Sequence, residues 1–212
     1  MHAVAGITLV EHTVSPNPPQ VTNVTQDGGP SLGVSGPVRV TWNGVDPDPG
    51  DTELTYSLRY SFDSGVNWRT LMVGASETSF VVDAGELEGT GGAATGMFQI
   101  IASDGANTGR VESTPFAVAG KAPTLRIAAP GNGSSYSFGQ TLAFQAAAED
   151  FEDGTLPDAA VRWTSSIDGE LGYGLLHHES LLSPGVHTIT VTATDSEGQA
   201  TSSSTSAGIA VG

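Results

Sequence analysis

Apolar and polar residues alternate in short runs along most of the chain. Between residues 54 and 62, Leu54, Tyr56, Leu58 and Tyr60 take every second position, which is the period of a β-strand with one buried face. Clusters of Gly, Pro, Asp and Ser separate such runs, and no segment sustains the 3.6-residue period of a helix. The pattern predicts an all-β protein with little or no helix.

The predicted strands form two sets. The first covers residues 4–14, 21–25, 37–42, 54–62, 68–73, 78–82, 97–103 and 110–118, with a Gly- and Glu-rich loop over 83–96 that we expect to be mobile. The second covers residues 124–129, 140–148, 160–165, 174–182, 186–195 and 200–211. Residues 1–19 are interpreted either as an extra strand of the first set or as the tail of a preceding unit.

The same order of features occurs in both sets. An apolar strand leads into an acidic loop, a strand with Trp or Tyr follows, and a later strand ends in Asp and a Gly-containing turn. A chain of 212 residues is long enough for two domains of roughly 100 residues each. We therefore predict two tandem immunoglobulin-like β-sandwiches of Greek-key topology, over residues 1–119 and 124–212, joined by a linker over 120–123.

Composition excludes several classes of function. The formal charge is −16, and such a field repels phosphate backbones, so nucleic acid is excluded as a partner. The chain has no Cys, which excludes a disulfide framework and Cys-ligated zinc. No apolar run is long enough to cross a membrane, and the N-terminus lacks the features of a secretory signal. We expect a piece of a longer protein that is monomeric in isolation.

The first half has Trp42 on an early strand and the strand patterns of residues 54–61 and 98–105. In these residues it resembles the fibronectin type III-like modules of large bacterial secreted proteins. The second half has Trp163 on its third strand, and with residues 182–191 it resembles bacterial immunoglobulin-like, PKD-like and cadherin-like modules. The resemblance implies non-catalytic modules of an extracellular or cell-surface protein, which act as spacers or in adhesion and have a protein or a glycan as partner.

The acidic loops are the candidate metal sites. Sandwich topology places the loop between the second and third strands beside the loop after the later, Asp-terminated strand. Calcium takes about six to eight oxygen ligands, which such loops supply, although neither loop matches the EF-hand pattern. The alternative is that Asp, Pro and Gly simply form turns. The candidate calcium ligands are Asp46, Asp48, Asp51 and Asp104 in the first half and Glu149, Asp150, Asp153 and Asp195 in the second.

The resemblance to cadherin-type modules adds a mechanical hypothesis. The chain enters an immunoglobulin-like domain at the end that carries these two loops. The second acidic cluster is therefore expected at the domain junction, facing the loop of Asp83, Glu86 and Glu88. Calcium bound there would stiffen the tandem.

Other patterns favour structural roles. Residues 61–68 fit the Asp-box pattern Ser-x-Asp-x-Gly-x-x-Trp, which we interpret as a turn rather than a glycan site. The adjacent His177 and His178 face opposite sides of a strand and cannot chelate one zinc ion. His187 is expected to be a half-buried packing residue.

No residue set indicates catalysis. The Gly-x-Ser-x-Gly and His-Glu-x-x-His motifs are absent, and the carboxylates lie among turn residues without an aromatic cleft for glycoside hydrolysis. The first hypothesis is a pair of spacer or adhesion modules with calcium at the acidic loops. One alternative is a carbohydrate-binding accessory module of a secreted enzyme, with Tyr136, Phe151 and Tyr173 as the candidate rings outside the predicted cores. The other is a protein-binding accessory region of a secreted peptidase.

Overall fold

A computed structural model describes residues 16–48 and 53–211. Within these ranges the regular structure is β-strand, apart from two short 3₁₀ turns over Ala84–Glu86 and Asp158–Ala160. The all-β prediction is confirmed. The strand predicted over residues 4–14 and the candidate ligand Asp51 lie outside the described residues. In the part of the chain that is described, no helix has the length and apolar character needed to cross a bilayer.

The chain divides between Val118 and Ala119 into two compact units, called unit 1 and unit 2 below. Unit 1 has two main sheets, of order β1-β3-β6 and β5-β4-β7-β8, and a short parallel pair of β2 with β9. Its strands are β1 (Gln20–Gln26), β2 (Ser31–Leu32), β3 (Pro37–Val45), β4 (Thr55–Ser61), β5 (Arg69–Ala75), β6 (Ser79–Asp83), β7 (Met97–Ser103), β8 (Thr108–Glu112) and β9 (Ala117–Val118).

Inward-facing aromatic residues of both sheets form the core of unit 1. Trp42 on β3 is buried and meets Tyr56 on β4 edge-on, with ring centroids 5.6 Å apart. Phe98 lies 4.9 Å from Phe116 and 5.7 Å from Tyr60. Such offset and edge contacts are favoured by the ring quadrupoles, and the contact between Trp42 and Tyr56 joins the two main sheets.

Unit 2 is a second sandwich. One sheet is β10-β12-β13 with β16 also paired to β12, and the other is β11-β18-β17-β14-β15, in which β11 and β18 are parallel. Its strands are β10 (Thr124–Ala129), β11 (Ser134–Ser137), β12 (Leu142–Asp150), β13 (Gly154–Thr155), β14 (Val161–Ser165), β15 (Gly169–Tyr173), β16 (Leu176–Glu179), β17 (Gly185–Thr194) and β18 (Ala200–Ala210).

Trp163 on β14 is the centre of the unit 2 core. Its side chain is fully buried, its ring lies 5.4 Å from that of Phe144 on β12, and its Nε1 donates a hydrogen bond to the Gly174 carbonyl at 2.9 Å. The buried tryptophan therefore comes from the second main strand in unit 1 and from the third in unit 2, as the sequence predicts. In both units the strand order is that of immunoglobulin-like sandwiches.

Residues 83–96 differ from the mobile loop that the sequence predicts. The Asp83 carboxylate accepts hydrogen bonds from the backbone N–H groups of Gly36 and Gly85, and Leu87 is fully buried. Thr90 donates its N–H to the Val118 carbonyl, and its Oγ1 accepts the Val118 N–H, both at 3.0 Å. Buried Leu87 and these paired bonds fasten the segment to the core of unit 1.

Two further predictions of strand position need correction. The strand predicted over residues 110–118 is divided into β8 and β9, because Pro115 between them has no N–H to donate to a ladder. The edge strands β11 and β15 were not predicted, since the first is rich in Ser and the second in Gly, and neither shows an apolar alternation.

Candidate functional site

The acidic residues of unit 1 lie where the two sheets end, which we call the unit 1 pole (residues 46–48, 53–55 and 104–107). Ser103 at the end of β7 pairs with Thr55 at the start of β4, so the loop after β3 and the loop after β7 share this end, as predicted. The Asp46 Oδ1 accepts the Asp48 N–H at 2.9 Å. The Asp104 Oδ1 accepts the N–H groups of Ala106 at 2.7 Å and of Asn107 at 2.6 Å.

The unit 1 pole also has a surface depression, lined by Asp46, Glu53 and Tyr56 among others. A Cβ on Gly44 would lie 2.1 Å from the Tyr56 hydroxyl oxygen. Only glycine at this position leaves room for the Tyr56 side chain. Burial raises the pKa of Tyr56. The Asp48 carboxylate accepts hydrogen bonds from the backbone N–H and the Nδ2 of Asn17, at 2.9 and 2.6 Å.

The unit 2 pole (residues 150–153 and 195–199) is closed by direct bonds between its two loops. The Asp153 carboxylate accepts the N–H and the hydroxyl of Ser196, both at 2.8 Å. The Asp150 Oδ1 accepts the N–H groups of Glu152 and Asp153, and the Asp195 Oδ1 accepts those of Glu197 and Gln199. Asp150 and Asp195 therefore each use one oxygen to form their own turn, whereas Asp153 uses both of its oxygens to bond the other loop.

The second oxygen of several of these aspartates is buried without a partner. Among the described residues, the Oδ2 atoms of Asp46, Asp150 and Asp195 have no hydrogen-bond partner, and they have almost no contact with solvent. The whole residues Asp150 and Asp195 are only 8% and 9% exposed. A buried carboxylate oxygen without a donor is costly, so these three atoms need a proton donor or a cation.

One candidate ligand of unit 2, Glu149, faces away from these oxygens. Glu149 is exposed while Asp150, its neighbour on β12, is buried, because successive side chains of a strand face opposite sides. In the described part of the chain, no group of three or more acidic or His side chains is arranged to hold a metal ion. A bound cation would thus have at most two carboxylate ligands there and would complete its shell with carbonyl oxygens and water.

The contacts of Gly120 and Lys121 with the unit 2 pole were not predicted. Lys121 Nζ lies 3.3 Å from Glu152 Oε1, with both side chains about five-sixths buried, and 4.8 Å from the centre of the Phe151 ring. The Glu197 Oε2 lies so near Gly120 that a Cβ there would be 2.1 Å away. The sequence signal for the first contact was that Lys121 is the one Lys of the chain. Its position beside the acidic cluster could not be predicted, because the two meet only in the folded unit.

The three candidate rings do not form one surface. Tyr136, predicted to lie outside the core, is partly buried and contacts it, so that prediction is wrong. Tyr173 is 49% exposed and lies on β15, at the opposite edge of the same sheet from β11. Four strand spacings separate these edges, about 19 Å. Phe151 is 51% exposed at the unit 2 pole, and Phe138, which sequence reasoning missed, is 55% exposed.

The Asp-box segment forms a tight hydrogen-bonded turn. The Asp63 Oδ1 accepts the Asn67 N–H and the Ser61 hydroxyl, each at 2.8 Å, and these bonds, led by the Asn67 N–H, lower the pKa of Asp63. Gly65 has a φ of 85°, which a residue with a side chain rarely adopts. Each oxygen of Asp63 thus has a partner within the turn, which matches the structural interpretation of this motif.

The histidines are placed differently from one another. His177 is partly buried and stacks on Phe144, with ring centroids 6.0 Å apart, whereas His178 is exposed on the other face of β16. His187 is fully buried rather than half-buried as expected. Its Nε2 donates to the Ser183 carbonyl at 2.7 Å, so the Nδ1 of the neutral ring accepts the Ser165 hydroxyl at 2.7 Å.

Asp168 completes the network around His187. Its Oδ2 lies 3.6 Å from the His187 Nδ1, and its carboxylate accepts the hydroxyl of Ser183 at 2.6 Å and the Ser183 N–H at 3.0 Å. The Ser183 hydroxyl is the main cause that lowers the pKa of Asp168. The Ser, His and Asp of this network are not a catalytic triad, because the hydroxyl and the carboxylate both face the same ring nitrogen of a fully buried histidine.

Comparison with known proteins gives a likeness at the level of fold. No family model matches the chain. No curated protein matches it either. Fibronectin(III)-like modules of Clostridium thermocellum CbhA are 15% identical over 41% of this chain and 94% of theirs, with a TM-score of 0.35. The tandem Ig repeats of Dlar are 14% identical over 92% of this chain and 99% of theirs, with a TM-score of 0.30.

A third solved structure, the N-terminal four Ig domains of Dscam1 isoform 4.4, is 13% identical over 93% of this chain and 47% of its own length, with a TM-score of 0.40. Likenesses this distant carry no argument about function. The strand order of the two units is itself that of a tandem of immunoglobulin-like sandwiches.

Proposed function

We propose that the two units are non-catalytic spacer or adhesion modules of a larger extracellular bacterial protein. The observation that carries the proposal is that each unit has its own closed core, which lets a sandwich transmit force or hold a neighbour at a distance without needing a partner to fold. The formal charge of −16 supports a surface that stays solvated and repels other acidic molecules.

Calcium at the acidic poles is part of this proposal. Hard oxygen ligands suit calcium, and the buried unpartnered oxygens of Asp46, Asp150 and Asp195 support a cation at both poles. A cation that bridges two loops would restrict their motion and so stiffen the module that carries them.

Single-molecule stretching of the 212-residue chain tests the spacer role. Independent modules should give two separate unfolding events, and the event of unit 2 should lengthen the chain by about 300 Å at about 3.3–3.6 Å per extended residue. A single event that releases both units at once would contradict the proposal, because a spacer of independent modules must yield one module at a time.

The second candidate function is carbohydrate binding beside an enzyme. The exposed rings of Phe151 and Tyr173 favour it, since aromatic faces stack on sugars. A glycan array with the wild-type chain should be negative under the spacer proposal. Binding that is lost on Phe151→Ala or Tyr173→Ala, and retained on Phe138→Ala as the matched exposed ring, would replace the spacer role by a lectin-like one. A protein-binding accessory role in a secreted peptidase would leave the array equally negative.

A further inference from the structure

Two buried aspartates of unit 2 continue the inward-facing rows of strands in opposite sheets. On β12 the buried positions are Leu142, Phe144, Ala146 and Ala148, and Asp150 is the next in the same row. On β17 the buried row includes Val191 and Ala193, and Asp195 follows two residues later. Each aspartate therefore points into the space between the sheets, where its strand would otherwise place another apolar residue.

The two aspartates lie at the same end of the sandwich. The Asp153 carboxylate, three residues after Asp150, is bonded to Ser196, which directly follows Asp195. Facing sheets are about 10 Å apart, which leaves about 3–5 Å between carboxylate oxygens that extend from opposite sheets. A cation with bonds of about 2.3–2.6 Å to oxygen spans such a gap.

The spare oxygens are the second observation that points to a ligand. Asp150 and Asp195 are both more than nine-tenths buried, and the Oδ2 of each has no hydrogen-bond partner. Their Oδ1 atoms already accept backbone N–H groups of their own turns. A small rotation of either carboxylate therefore cannot bring its Oδ2 to a hydrogen-bond donor without breaking the turn. Two like charges in a poorly solvated space also repel each other strongly.

The surrounding charges favour a cation over an anion or a neutral ligand. Glu152, Asp153 and Glu197 lie at the same pole. Lys121 is the basic side chain described there, and its Nζ pairs with the carboxylate of Glu152. The field at the mouth of the sandwich is therefore strongly negative, which concentrates divalent cations.

From these contacts we infer that unit 2 binds one calcium ion between Asp150 and Asp195, as a clamp that joins its two sheets. Calcium fits because the available donors are oxygens and its coordination is flexible, whereas zinc prefers His or Cys and magnesium requires near-ideal octahedral geometry. Two carboxylates with carbonyl and water ligands make a weak site, with a dissociation constant of about 10⁻⁴–10⁻³ M, the range of extracellular modules.

The inference deepens the proposed function, on which it rests, by placing one calcium ion between Asp150 and Asp195, where it joins the two sheets of unit 2. The two can fail separately. A chain that gives two unfolding events under force but no calcium response keeps the spacer role and loses the clamp. A calcium response in a chain that binds glycans keeps the clamp and loses the spacer role.

Hydrogen–deuterium exchange of the 212-residue chain, with calcium or with EDTA, tests the clamp. At calcium tenfold above the dissociation constant, amides of β12 and β17 that exchange only when unit 2 unfolds should exchange about tenfold more slowly. The test variants are Asp150→Asn and Asp195→Asn. The matched control is Glu149→Gln, which removes the same charge one residue away on the opposite, exposed face of β12.

The expected change in protection from exchange distinguishes loss of the calcium site from simple damage to the fold. In Asp150→Asn the Oδ1 still accepts the turn N–H groups, and the new amide N–H can donate to the Asp195 Oδ2. In EDTA this variant should therefore be at least as protected as the wild type, while its response to calcium is lost. Glu149→Gln should keep the full response.

Several results would overturn the clamp. One is a wild-type chain whose exchange in unit 2 is the same with calcium and with EDTA, which is also what a proton shared by the two carboxyl groups predicts. Another is a calcium response that survives in both Asn variants or disappears in Glu149→Gln. If Asp150→Asn does not fold, Asp195→Asn poses the same question, and the wild-type comparison decides on its own.

Discussion

The buried hydrogen-bond network of His187 allows a quantitative prediction. His187→Ala removes the donor to the Ser183 carbonyl and the acceptor of the Ser165 hydroxyl. An unsatisfied buried carbonyl costs about 1–3 kcal/mol and the lost bond to the hydroxyl about 1 kcal/mol. The cavity left by the fully buried ring adds about 1 kcal/mol. We expect the free energy of unfolding of unit 2 to fall by about 3–5 kcal/mol, a large part of the 5–15 kcal/mol typical of a domain.

Hydrogen–deuterium exchange resolves this effect within the whole chain. A loss of 3–5 kcal/mol corresponds to exchange about 10²–10⁴ times faster for the most protected amides of β14 and β17. Peptides of unit 1 serve as the internal reference. His187→Phe fills the volume but makes neither hydrogen bond, so its loss should be about 2–4 kcal/mol.

The matched control is His178→Ala, because His178 is an exposed histidine of the same unit. An exposed substitution should change the stability by no more than about 0.5 kcal/mol. If His187→Ala accelerates exchange no more than His178→Ala does, the two bonds contribute nothing to stability and the reasoning is wrong. If His187→Phe is as damaging as His187→Ala, the cavity contribution has been overestimated.

Two further predictions concern single hydrogen-bonding groups. Bonds from Ser183 hold the pKa of Asp168 below its ordinary 3.8. The stabilisation that Asp168 gives is therefore complete above that value and is lost as the pH falls through the lower pKa of the folded state. Acid unfolding of unit 2 should be less steep in Ser183→Ala, and identical acid profiles would contradict this. Thr90→Val leaves the Val118 N–H without its acceptor and should destabilise unit 1 by about 1–3 kcal/mol in guanidinium titrations, whereas Thr70→Val on the exposed face of β5 should have almost no effect.

Alternation along the strands was sufficient to predict most of the fold. The predicted bounds of β7 and β10 agree with the structure, because their apolar residues recur with period two between clear turn residues. The same period could have separated Glu149 from Asp150, since neighbouring residues on a strand face opposite sides. The Ser-rich β11 and the Gly-rich β15 could not be found in this way, because edge strands need little apolar surface.

The loop over residues 83–96 shows where composition misleads. Its Gly and Glu content is typical of a solvated loop, and yet Leu87 is fully buried and Thr90 is bonded twice to Val118. Val118 follows Thr90 by 28 residues, so no local pattern could have paired them. Order in this segment results from contacts that exist only when β9 is in place.

The fold class, the two sandwiches and the acidic residues at the ends of β3, β7, β12 and β17 follow from the amino-acid sequence alone, because strand periodicity and turn chemistry are local. Which oxygens of those acids are used depends on contacts between residues far apart in the chain. In the folded unit 2, one oxygen of Asp150 and one of Asp195 accept N–H groups of their own turns, and Asp153 is bonded to Ser196. The second oxygens of Asp150 and Asp195 are buried between the sheets. Residues 43 positions apart meet there because two separate sheets had to close over one core, and that closure is not encoded in any short segment.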